Sequence, residues 1–305
     1  MPKEPAPLRV ALSGSTGFLG RALTAHLTAA GHRVVPMTRR RAATASDSIA
    51  WDPSRGELQP DALRGIDAVV HLAGENIAQR WTDDIKREIR ESRVKSTTLL
   101  SRTIQAMEVP PRVLLSGSAV GIYGDRGDEL LDESSAPGSG FLADVVRAWE
   151  AATSALDRPD VRVVNLRSGV VIDRHGGALE KMLTPFKLGL GGRIGSGNQV
   201  MSWISLDDWT RAVAFLLTAG QARGPVNIVA PVPVSNADFT HALGEALGRP
   251  TIVAVPEAAI HFMFGEMGDA TILASQRVVP TRLLGAGFRF HHETVADGLR
   301  SALAG

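Results

Sequence analysis

The sequence predicts an α/β protein with a doubly wound parallel sheet and a smaller lobe in its C-terminal half. Apolar, strand-like runs alternate with helical stretches of ordinary length up to about residue 170, which is typical of a parallel sheet covered by helices on both faces. A glycine-rich turn joins the first run to the first helix. From about residue 173 glycines cluster and the alternation stops, which indicates a separate lobe.

The composition excludes several classes of protein. The chain has 305 residues, 44% of them hydrophobic, which is enough for one large domain or a domain with a lobe. A net charge of +1 argues against nucleic acid as a partner. The absence of cysteine excludes disulfides and thiolate chemistry. Without a long apolar run or a signal-peptide core we expect no membrane partner and a cytoplasmic location. A homo-oligomer is compatible with the sequence.

The first motif is LRVALSGSTGFLG at residues 8–20, an apolar run followed by glycines and a helix over 21–30. Gly14 permits a tight turn, Gly17 lets the backbone approach a pyrophosphate, and Gly20 lets helix and strand pack closely. N–H groups at the helix start would then face the phosphates. This context predicts a Rossmann-like dinucleotide site, and a plain strand-to-helix turn is the alternative. The candidate contacts are Gly14, Thr16, Gly17, Phe18, Leu19 and Gly20.

The second strand, residues 32–37, predicts which dinucleotide binds. It is followed by Thr38 and then three arginines, residues 39–41. NAD-specific proteins usually carry an acidic residue here, which binds the ribose 2′-hydroxyl. A guanidinium can instead bind a 2′-phosphate through two hydrogen bonds. We therefore predict NADP(H), with Arg39 and Arg40 as contacts, and a solvated basic turn is the alternative.

A third buried strand is predicted over residues 66–73. Its end, Gly74 and Glu75, lies at the carboxyl edge of the sheet, where ligands of open α/β sheets bind. His71 stands inside the apolar run with no second ligand at a suitable spacing. We therefore predict a core histidine with a hydrogen-bonding partner, and not a metal ligand.

A charged helix over 81–107 precedes the next strand, which begins at residues 112–115 and continues into SGSAVGIYGD. This continuation brings three hydroxyl groups, those of Ser116, Ser118 and Tyr123, to the carboxyl edge, with Gly117 between the serines. We expect Ser116 and Gly117 to contact the cofactor. A helix over 141–156 and a strand over 161–166 complete the alternating pattern.

The remaining chain is predicted to build most of the lobe. The segment 189–209 is rich in glycine and is not expected to contain a regular βαβ unit. A helix over 209–219, a strand over 224–230 and helices over 236–248, 256–264 and 293–303 follow. We predict a nucleotide-binding domain over 8–170, completed by elements from about 207–230. The segments 171–206 and 231–305 form the predicted substrate-side lobe.

These motifs together resemble the extended short-chain dehydrogenase/reductase superfamily. The resemblance rests on GSTGFLG (14–20), HLAGE (71–75), SGSAVGIYG (116–124) and RSGVV (167–171). A closer resemblance is to an atypical, epimerase-like branch with a C-terminal domain of unknown function. It rests on HLAGENIAQRW (71–81), REIRESRVKST (87–97), GLGGRIGSGNQVMSWI (189–204) and ASQRVVPTRLLGAGF (274–288).

The resemblance implies an NADP(H) site along the sheet edge. Thr38 and Arg39 would meet the adenosine phosphate, and Leu72 and Ala73 would line the cofactor. Arg93 occupies the place where extended relatives usually carry an asparagine that faces the cofactor. Further cofactor-side candidates are Glu88, Arg93 and Val171, and a surface ion pair is the alternative for Glu88 and Arg93.

The same resemblance implies acid–base chemistry with parts missing. In this superfamily a Ser or Thr polarises the substrate oxygen, and a Tyr transfers the proton with help from a Lys four residues later. Ser118 matches the serine. The helix FLADVVRAWE, where the pair is expected, has no tyrosine, and its only base, Arg147, is out of register. Tyr123 is the only tyrosine in the chain and is followed four residues later by Gly127. Ser118 and Tyr123 are therefore the catalytic candidates.

Three functions fit these features. The first is an NADP(H)-dependent oxidoreductase or epimerase-like enzyme acting on a small carbonyl or sugar-type substrate. The second is a sensor or regulatory protein that holds NADP(H) without turnover, and the third is a module for another nucleotide such as a flavin. No metal is predicted, because His291 and His292 have no neighbour at metal spacing and a helix cap explains Asp207 and Asp208.

Overall fold

The computed structural model describes residues 6–39 and 48–304. The strands are β1 (Arg9–Ser13), β2 (Arg33–Thr38), β3 (Ile49–Ala50), β4 (Ala68–His71), β5 (Val113–Ala119), β6 (Leu130–Leu131), β7 (Arg162–Ser168), β8 (Val170–Asp173), β9 (Gly192–Ile194), β10 (Val200–Met201), β11 (Trp203–Ser205), β12 (Gly224–Ile228), β13 (Val234–Ser235), β14 (Val253–Val255) and β15 (Arg277–Val278). The helices are α1 (Phe18–Ala29), α2 (Asp83–Gln105), α3 (Phe141–Ala151), α4 (Gly177–Lys187), α5 (Leu206–Thr218), α6 (Asn236–Leu247), α7 (Glu257–Phe264), α8 (Glu266–Thr271), α9 (Thr281–Gly285) and α10 (Val295–Ala304).

Seven strands form a parallel sheet in the order β12-β7-β5-β4-β1-β2-β3. From β1 the chain first moves outward through β2 to β3, then returns to β4 and moves outward on the other side. Strands β1 and β4 pair directly, with Ser13 opposite His71 at their carboxyl ends. This reversal of direction opens a crevice at the carboxyl edge, the usual ligand position in such sheets. The predicted doubly wound α/β fold is confirmed.

Apolar side chains cover both faces of the sheet. Leu23 and Leu27 of α1 join Trp209 and Val213 of α5 in one fully buried core. Leu100 and Ile104 of α2 belong to the core on the opposite face. A strand with both faces covered reads as a continuous apolar run, which is why the parallel strands were visible in the sequence.

The C-terminal lobe has its own core, built by α4, α6, α10 and the pair β8–β11. Its largest buried side chains include Phe186, Trp203 and Phe239. Strands β8 and β11 pair in parallel, with Val171 opposite Ile204, and α4 lies between them in the chain. Residues 189–209 contain no regular βαβ unit of their own, as expected, but they supply β11, which completes a unit with β8 and α4. The strands have only four and three residues and pair across the glycine-rich stretch, so no local periodicity reveals them.

Two further details differ from the sequence analysis. The apolar island near residue 50 is an edge strand, β3, which pairs with the end of β2. The helix predicted at 209–219 begins earlier, because Ser205 caps it by accepting the N–H of Asp208. No helix among residues 6–39 and 48–304 is both long and apolar enough to cross a membrane.

Candidate functional site

The glycine turn between β1 and α1 has the geometry that a phosphate-binding turn needs. Gly14 has a φ of +72°, and a Cβ there would lie 2.9 Å from the carbonyl carbon of Leu72. A Cβ on Gly20 would lie 2.1 Å from the Gly14 carbonyl oxygen, so helix and turn touch through bare backbone. Gly17 is exposed and precedes the first helical residue. The N–H groups of the first turn of α1 have no partner within the helix and offer an anion site.

The end of β2 lies beside this turn. Ser13 and Met37 are paired residues of β1 and β2, so Thr38 and Arg39 follow directly at the same edge. Thr38 is half-buried and Arg39 is exposed to solvent. The predicted contact Arg40 lies outside the described residues.

The end of β4 forms the opposite wall of the crevice. The Ser13 hydroxyl accepts the N–H groups of Leu72 and Ala73 at 3.2 and 3.3 Å. The N–H of Glu75 donates to Ser92 of α2 at 3.0 Å. Backbone from the turn after β4 is thereby held against the Gly14 turn, where the resemblance predicted cofactor contacts.

His71 supports this wall from below. The Ser96 hydroxyl donates to the Ser92 carbonyl at 2.5 Å, so it accepts the Nε2 proton of His71 at 2.9 Å. Nδ1 then accepts from the Ser13 hydroxyl at 2.6 Å. Burial and the nearby Arg93 charge lower the His71 pKa from 6.5 to about 3, so the ring is neutral. The prediction of a core histidine with satisfied partners is confirmed.

Arg93 of α2 lies between the turn after β4 and Trp149 of α3. Its guanidinium stacks over the Trp149 ring at 5.1 Å and packs against Gly74. Burial lowers its pKa to about 10, against the opposing charge of Glu75. Among the described residues it forms no ion pair with Glu88, which is exposed on α2, so the ion-pair alternative is not observed.

Val171 lies close to the start of α1. Its carbonyl oxygen lies 3.2 Å from the Cβ position of Gly177, and that position also lies 3.5 Å from the Phe18 ring. The β8–α4 turn therefore packs on the first residue of α1, and a contact of the buried Val171 with a cofactor stays a prediction.

Ser118 at the end of β5 belongs to a buried polar cluster. Its hydroxyl donates to Glu150 of α3 at 2.6 Å. Glu150 also accepts two hydrogen bonds from Arg167 of β7, at 2.8 and 2.9 Å. The Glu150 and Arg167 side chains are 13% and 7% exposed, which makes this a nearly desolvated ion pair. Burial alone would lower the Arg167 pKa, but the Glu150 hydrogen bonds and charge outweigh it, and the net pKa is raised.

Tyr123 is fully buried, and its hydroxyl is occupied. It accepts a hydrogen bond from Arg167 at 2.9 Å and lies 2.8 Å from Asn227 Oδ1 and 2.9 Å from the Asp132 carbonyl. Burial raises the Tyr123 pKa despite the Arg167 charge. The Tyr123 hydroxyl is thus directed into the protein, and its role in proton transfer stays a prediction. Its place in the sequence predicted a position at the edge of the sheet. The side chain instead lies inside the protein, hydrogen-bonded to Asn227, which is 104 residues away in sequence.

The hydroxyl of Ser116 also fails to reach the crevice. Ser116 is fully buried within β5, and its hydroxyl donates to the adjacent Gly117 carbonyl at 3.3 Å. The Trp149 ring fills the space beside Gly117 and would lie 2.8 Å from a Cβ at this position. The Ser116 hydroxyl is therefore turned into the sheet, and a contact of Ser116 or Gly117 with a cofactor stays a prediction.

The face of α3 that carries Glu150 is apolar one and two turns before that residue. Side chains four residues apart share a helix face, and the positions four and eight residues before Glu150 are Val146 and Leu142. Val146 is buried, and Leu142 packs next to Gly121. Apolar side chains therefore stand at both positions, and Glu150 is the residue of α3 whose carboxylate contacts Ser118.

Glu150 and Arg167 are site residues that were not predicted from the sequence. The signals were present, since Glu150 closes the helical run FLADVVRAWE and Arg167 directly follows a buried strand. An acid on one element and a base on the next look like surface charges until the two elements are placed side by side. Ser118 and Arg167 are paired residues of β5 and β7, which decides the contact.

Asp207, Asp208 and His291 come together although they are far apart in sequence. One ligand atom from each lies within 4.8 Å of the others. The expectation that His291 has no acidic neighbour is wrong in three dimensions. Asp208 is fully buried and accepts the N–H groups of His291 and His292 at 2.8 Å each, besides pairing with Arg211. These side chains are therefore already hydrogen-bonded or ion-paired with their neighbours. The absence of a metal site stays a prediction.

A glycine turn at the switch point of a parallel sheet, opposite an exposed arginine after the second strand, defines a Rossmann-type nucleotide-binding protein. The chain belongs to the NAD dependent epimerase/dehydratase family, whose model matches residues 10–229. A model described as a domain of unknown function (DUF1731) matches residues 255–302. The resemblance stated from the sequence is confirmed.

Relatives and solved structures support this assignment along the whole chain. The chain is 45% identical over 291 residues to epimerase family protein Mb2239 of Mycobacterium bovis, covering 95% of this chain and 96% of that protein. It is similar to the crystal structure of human epimerase family protein SDR39U1 (isoform 2) with NADPH. That match has a TM-score of 0.90 and 36% identity and covers 97% of this chain and 99% of the other.

A third match is to a bacterial protein described as a sugar-nucleotide enzyme. The nucleoside-diphosphate sugar epimerase from Corynebacterium glutamicum is 37% identical, with a TM-score of 0.81. The match covers 98% of this chain but 58% of that chain. The shared part is therefore the unit described here, and the Corynebacterium protein contains additional sequence.

Proposed function

We propose that the protein is an NADP(H)-dependent oxidoreductase or epimerase-like enzyme that acts on a small carbonyl or sugar-type substrate. The observation that carries this proposal is the glycine turn at the crevice together with Arg39 in place of an acid. The NADPH named in the human relative's crystal structure supports the same cofactor. The first-turn N–H groups of α1 would bind the pyrophosphate, and Arg39 would bind the 2′-phosphate.

The bound nicotinamide would supply hydride transfer. The chain's own residues orient the cofactor and the substrate oxygen. Ser118 is the hydroxyl available for that oxygen, because it stands at the end of β5 and matches the superfamily serine. The wall formed by Leu72 and Ala73 is fixed through Ser13 and His71, which keeps the crevice in shape.

A sensor that holds NADP(H) without turnover is the second candidate. The observation that favours it is the apolar face of α3, where Val146 and Leu142 offer no proton donor. The two candidates share the cofactor site and differ only in what Ser118 does.

Selective loss of NADPH affinity tests the cofactor assignment. We expect Arg39→Ala to weaken NADPH binding by about tenfold or more, since a charge-assisted hydrogen bond contributes roughly 1.5–3 kcal/mol. NADH affinity should change little, because NADH lacks the 2′-phosphate. Isothermal titration of both coenzymes measures this. Arg112→Ala is the matched control, since Arg112 is exposed at the opposite edge of the sheet. Equal weakening of both coenzymes would show the 2′-phosphate assignment to be wrong.

Turnover separates the enzyme from the sensor. Purified protein with NADPH or with oxidised NADP is offered a panel of ketones, aldehydes, the matching alcohols and nucleoside-diphosphate sugars. Absorbance at the nicotinamide band reports net oxidation or reduction, and chromatography of the sugars reports epimerisation, which leaves the nicotinamide unchanged overall. The enzyme assignment expects turnover of at least one compound and a rate at least about tenfold lower in Ser118→Ala. Tight NADPH binding with no turnover across the panel would favour the sensor.

A further inference from the structure

The cluster of Ser118, Glu150 and Arg167 fixes the direction of a hydrogen bond. A carboxylate in an ion pair can only accept hydrogen bonds, and a guanidinium can only donate them. The Ser118 hydroxyl has a single proton, and that proton lies on the 2.6 Å contact with Glu150. Its oxygen therefore offers lone pairs, and no proton, to anything that approaches from the crevice.

Glu150 is held in this state from behind. Arg167 binds both of its carboxylate oxygens, and the third contact of Arg167 is the buried Tyr123 hydroxyl at 2.9 Å. The hydroxyl of Tyr123 in turn is fixed by Asn227 and the Asp132 carbonyl. Ser118, Glu150, Arg167 and Tyr123 form one chain of hydrogen bonds, and within residues 6–39 and 48–304 the Ser118 oxygen is its one end that accepts no hydrogen bond.

From this chain of contacts we infer that Ser118 accepts a hydrogen bond from its substrate, and that Glu150 is the positioning residue that makes it an acceptor. The inference rests on the proposed function and narrows its substrate class. A hydroxyl group can donate to Ser118, whereas a ketone or aldehyde oxygen cannot. The site is thus built to bind the alcohol form of the substrate, such as a secondary alcohol or a sugar hydroxyl.

The same contacts give the proton a route that the missing tyrosine–lysine pair would otherwise supply. As the substrate hydroxyl is oxidised, its proton passes to the Ser118 oxygen while the Ser118 proton passes to Glu150. One O–H bond breaks and one forms at Ser118, so this residue ends unchanged and Glu150 ends protonated. The two electrons leave the substrate carbon with hydrogen, as hydride to oxidised NADP. Reduction of a carbonyl follows the reverse route and begins with protonated Glu150.

The absence of cysteine from the chain makes a direct test available, because Ser118→Cys introduces a unique thiol at the critical atom. The rate of its alkylation by iodoacetamide is measured against pH by mass spectrometry. A thiol facing the Glu150 carboxylate has its pKa raised by that charge, and removing the charge leaves Arg167 to lower it. We expect the thiol pKa to fall by at least about one unit in Ser118→Cys with Glu150→Gln.

Two further variants keep the test decisive. Glu150→Asp retains the charge beside Arg167 but shortens the side chain, so a smaller fall is expected in the Ser118→Cys background; it serves if the Gln variant does not fold. Glu91→Gln, an exposed acid on α2, is the control and should leave the thiol pKa unchanged. An unchanged thiol pKa in both Glu150 variants, or a thiol that reacts only in denaturant, would overturn the inference.

Addition of NADPH separates this inference from the proposed function. If the cofactor lies beside Ser118, saturating NADPH slows alkylation of the introduced thiol. An alkylation rate that is the same with and without NADPH would count against the proposed function. It would leave the effect of Glu150 on the thiol pKa unaffected. If NADPH still protects the thiol but the Glu150 variants leave its pKa unchanged, the inference is wrong and the proposed function stands.

Discussion

His71 shows how one buried side chain links the fold to the crevice. It lies between Ser13 and Ser96 as a neutral ring, and through Ser13 it supports the backbone N–H groups after β4. A charged imidazolium could not keep both contacts, because Nδ1 must accept a proton from Ser13. The low pKa of about 3 therefore has a consequence for stability.

Stability should fall as the pH is lowered from 6.5 towards 3. In this window the unfolded chain binds a proton at His71 and the folded chain does not. The free energy of unfolding therefore falls with each unit by which the pH is lowered. Between pH 6.5 and 5 the His71 contribution amounts to about 2 kcal/mol. Urea unfolding at pH 6.5 and at pH 5 measures this contribution. Between these pH values the free energy of unfolding of His71→Gln should fall by about 2 kcal/mol less than that of the parent protein.

An exposed histidine provides the control for this prediction. His175 lies on the surface, so His175→Gln should show the same pH dependence as the parent protein. A parent and a His71→Gln protein with parallel pH profiles would contradict the neutral, buried ring.

At the scale of elements, the contact between α1 and β1 depends on a missing side chain. Gly20→Ala puts a Cβ 2.1 Å from the Gly14 carbonyl oxygen, so α1 must move away from the turn. Overpacking of this kind costs about 1–3 kcal/mol, which corresponds to roughly a ten- to hundredfold loss of NADPH affinity if it falls on the bound geometry. Titration with NADPH measures the loss.

Gly220 is the matched control for this substitution. A Cβ at Gly220 meets no atom within 4 Å, and Gly220 follows α5 at the surface. Gly220→Ala should leave NADPH affinity unchanged and alter stability by no more than about 0.5 kcal/mol. If Gly20→Ala binds NADPH as well as Gly220→Ala does, the close approach of helix and turn is not required for binding.

Elements with a local signature could be predicted from sequence, and those defined by distant partners could not. Strand β1, its glycine turn and α1 are contiguous, so apolar run, turn and helix appear side by side. Strand β11 has three residues and is fixed by pairing with β8. The same limit applies to the site, because Ser118 was recognisable from its motif whereas its partners Glu150 and Arg167 become visible only when α3 and β7 pack beside β5.

At the scale of the whole molecule, the lobe and the sheet share buried structure. Leu283 and Phe288, from the last part of the chain, belong to the core between the sheet and α5. Glu133 joins the loop before α3 to the rest by accepting the N–H groups of Asn227 and Arg282. Side chains from both regions lose their partners if either unfolds, so we expect one cooperative unit.

Asp208 is the place where this unity can be tested most directly. Its buried carboxylate accepts the N–H groups of His291 and His292 and thereby holds the C-terminal segment against α5. Asp208→Asn turns one acceptor into a donor that faces a backbone N–H, at a cost of about 2–4 kcal/mol. Asp207→Asn, exposed on the same turn, should cost no more than about 1 kcal/mol. Scanning calorimetry should show a single peak that moves to lower temperature in Asp208→Asn. A peak that splits in two would mean that the lobe unfolds on its own and that the shared core does not couple it to the sheet.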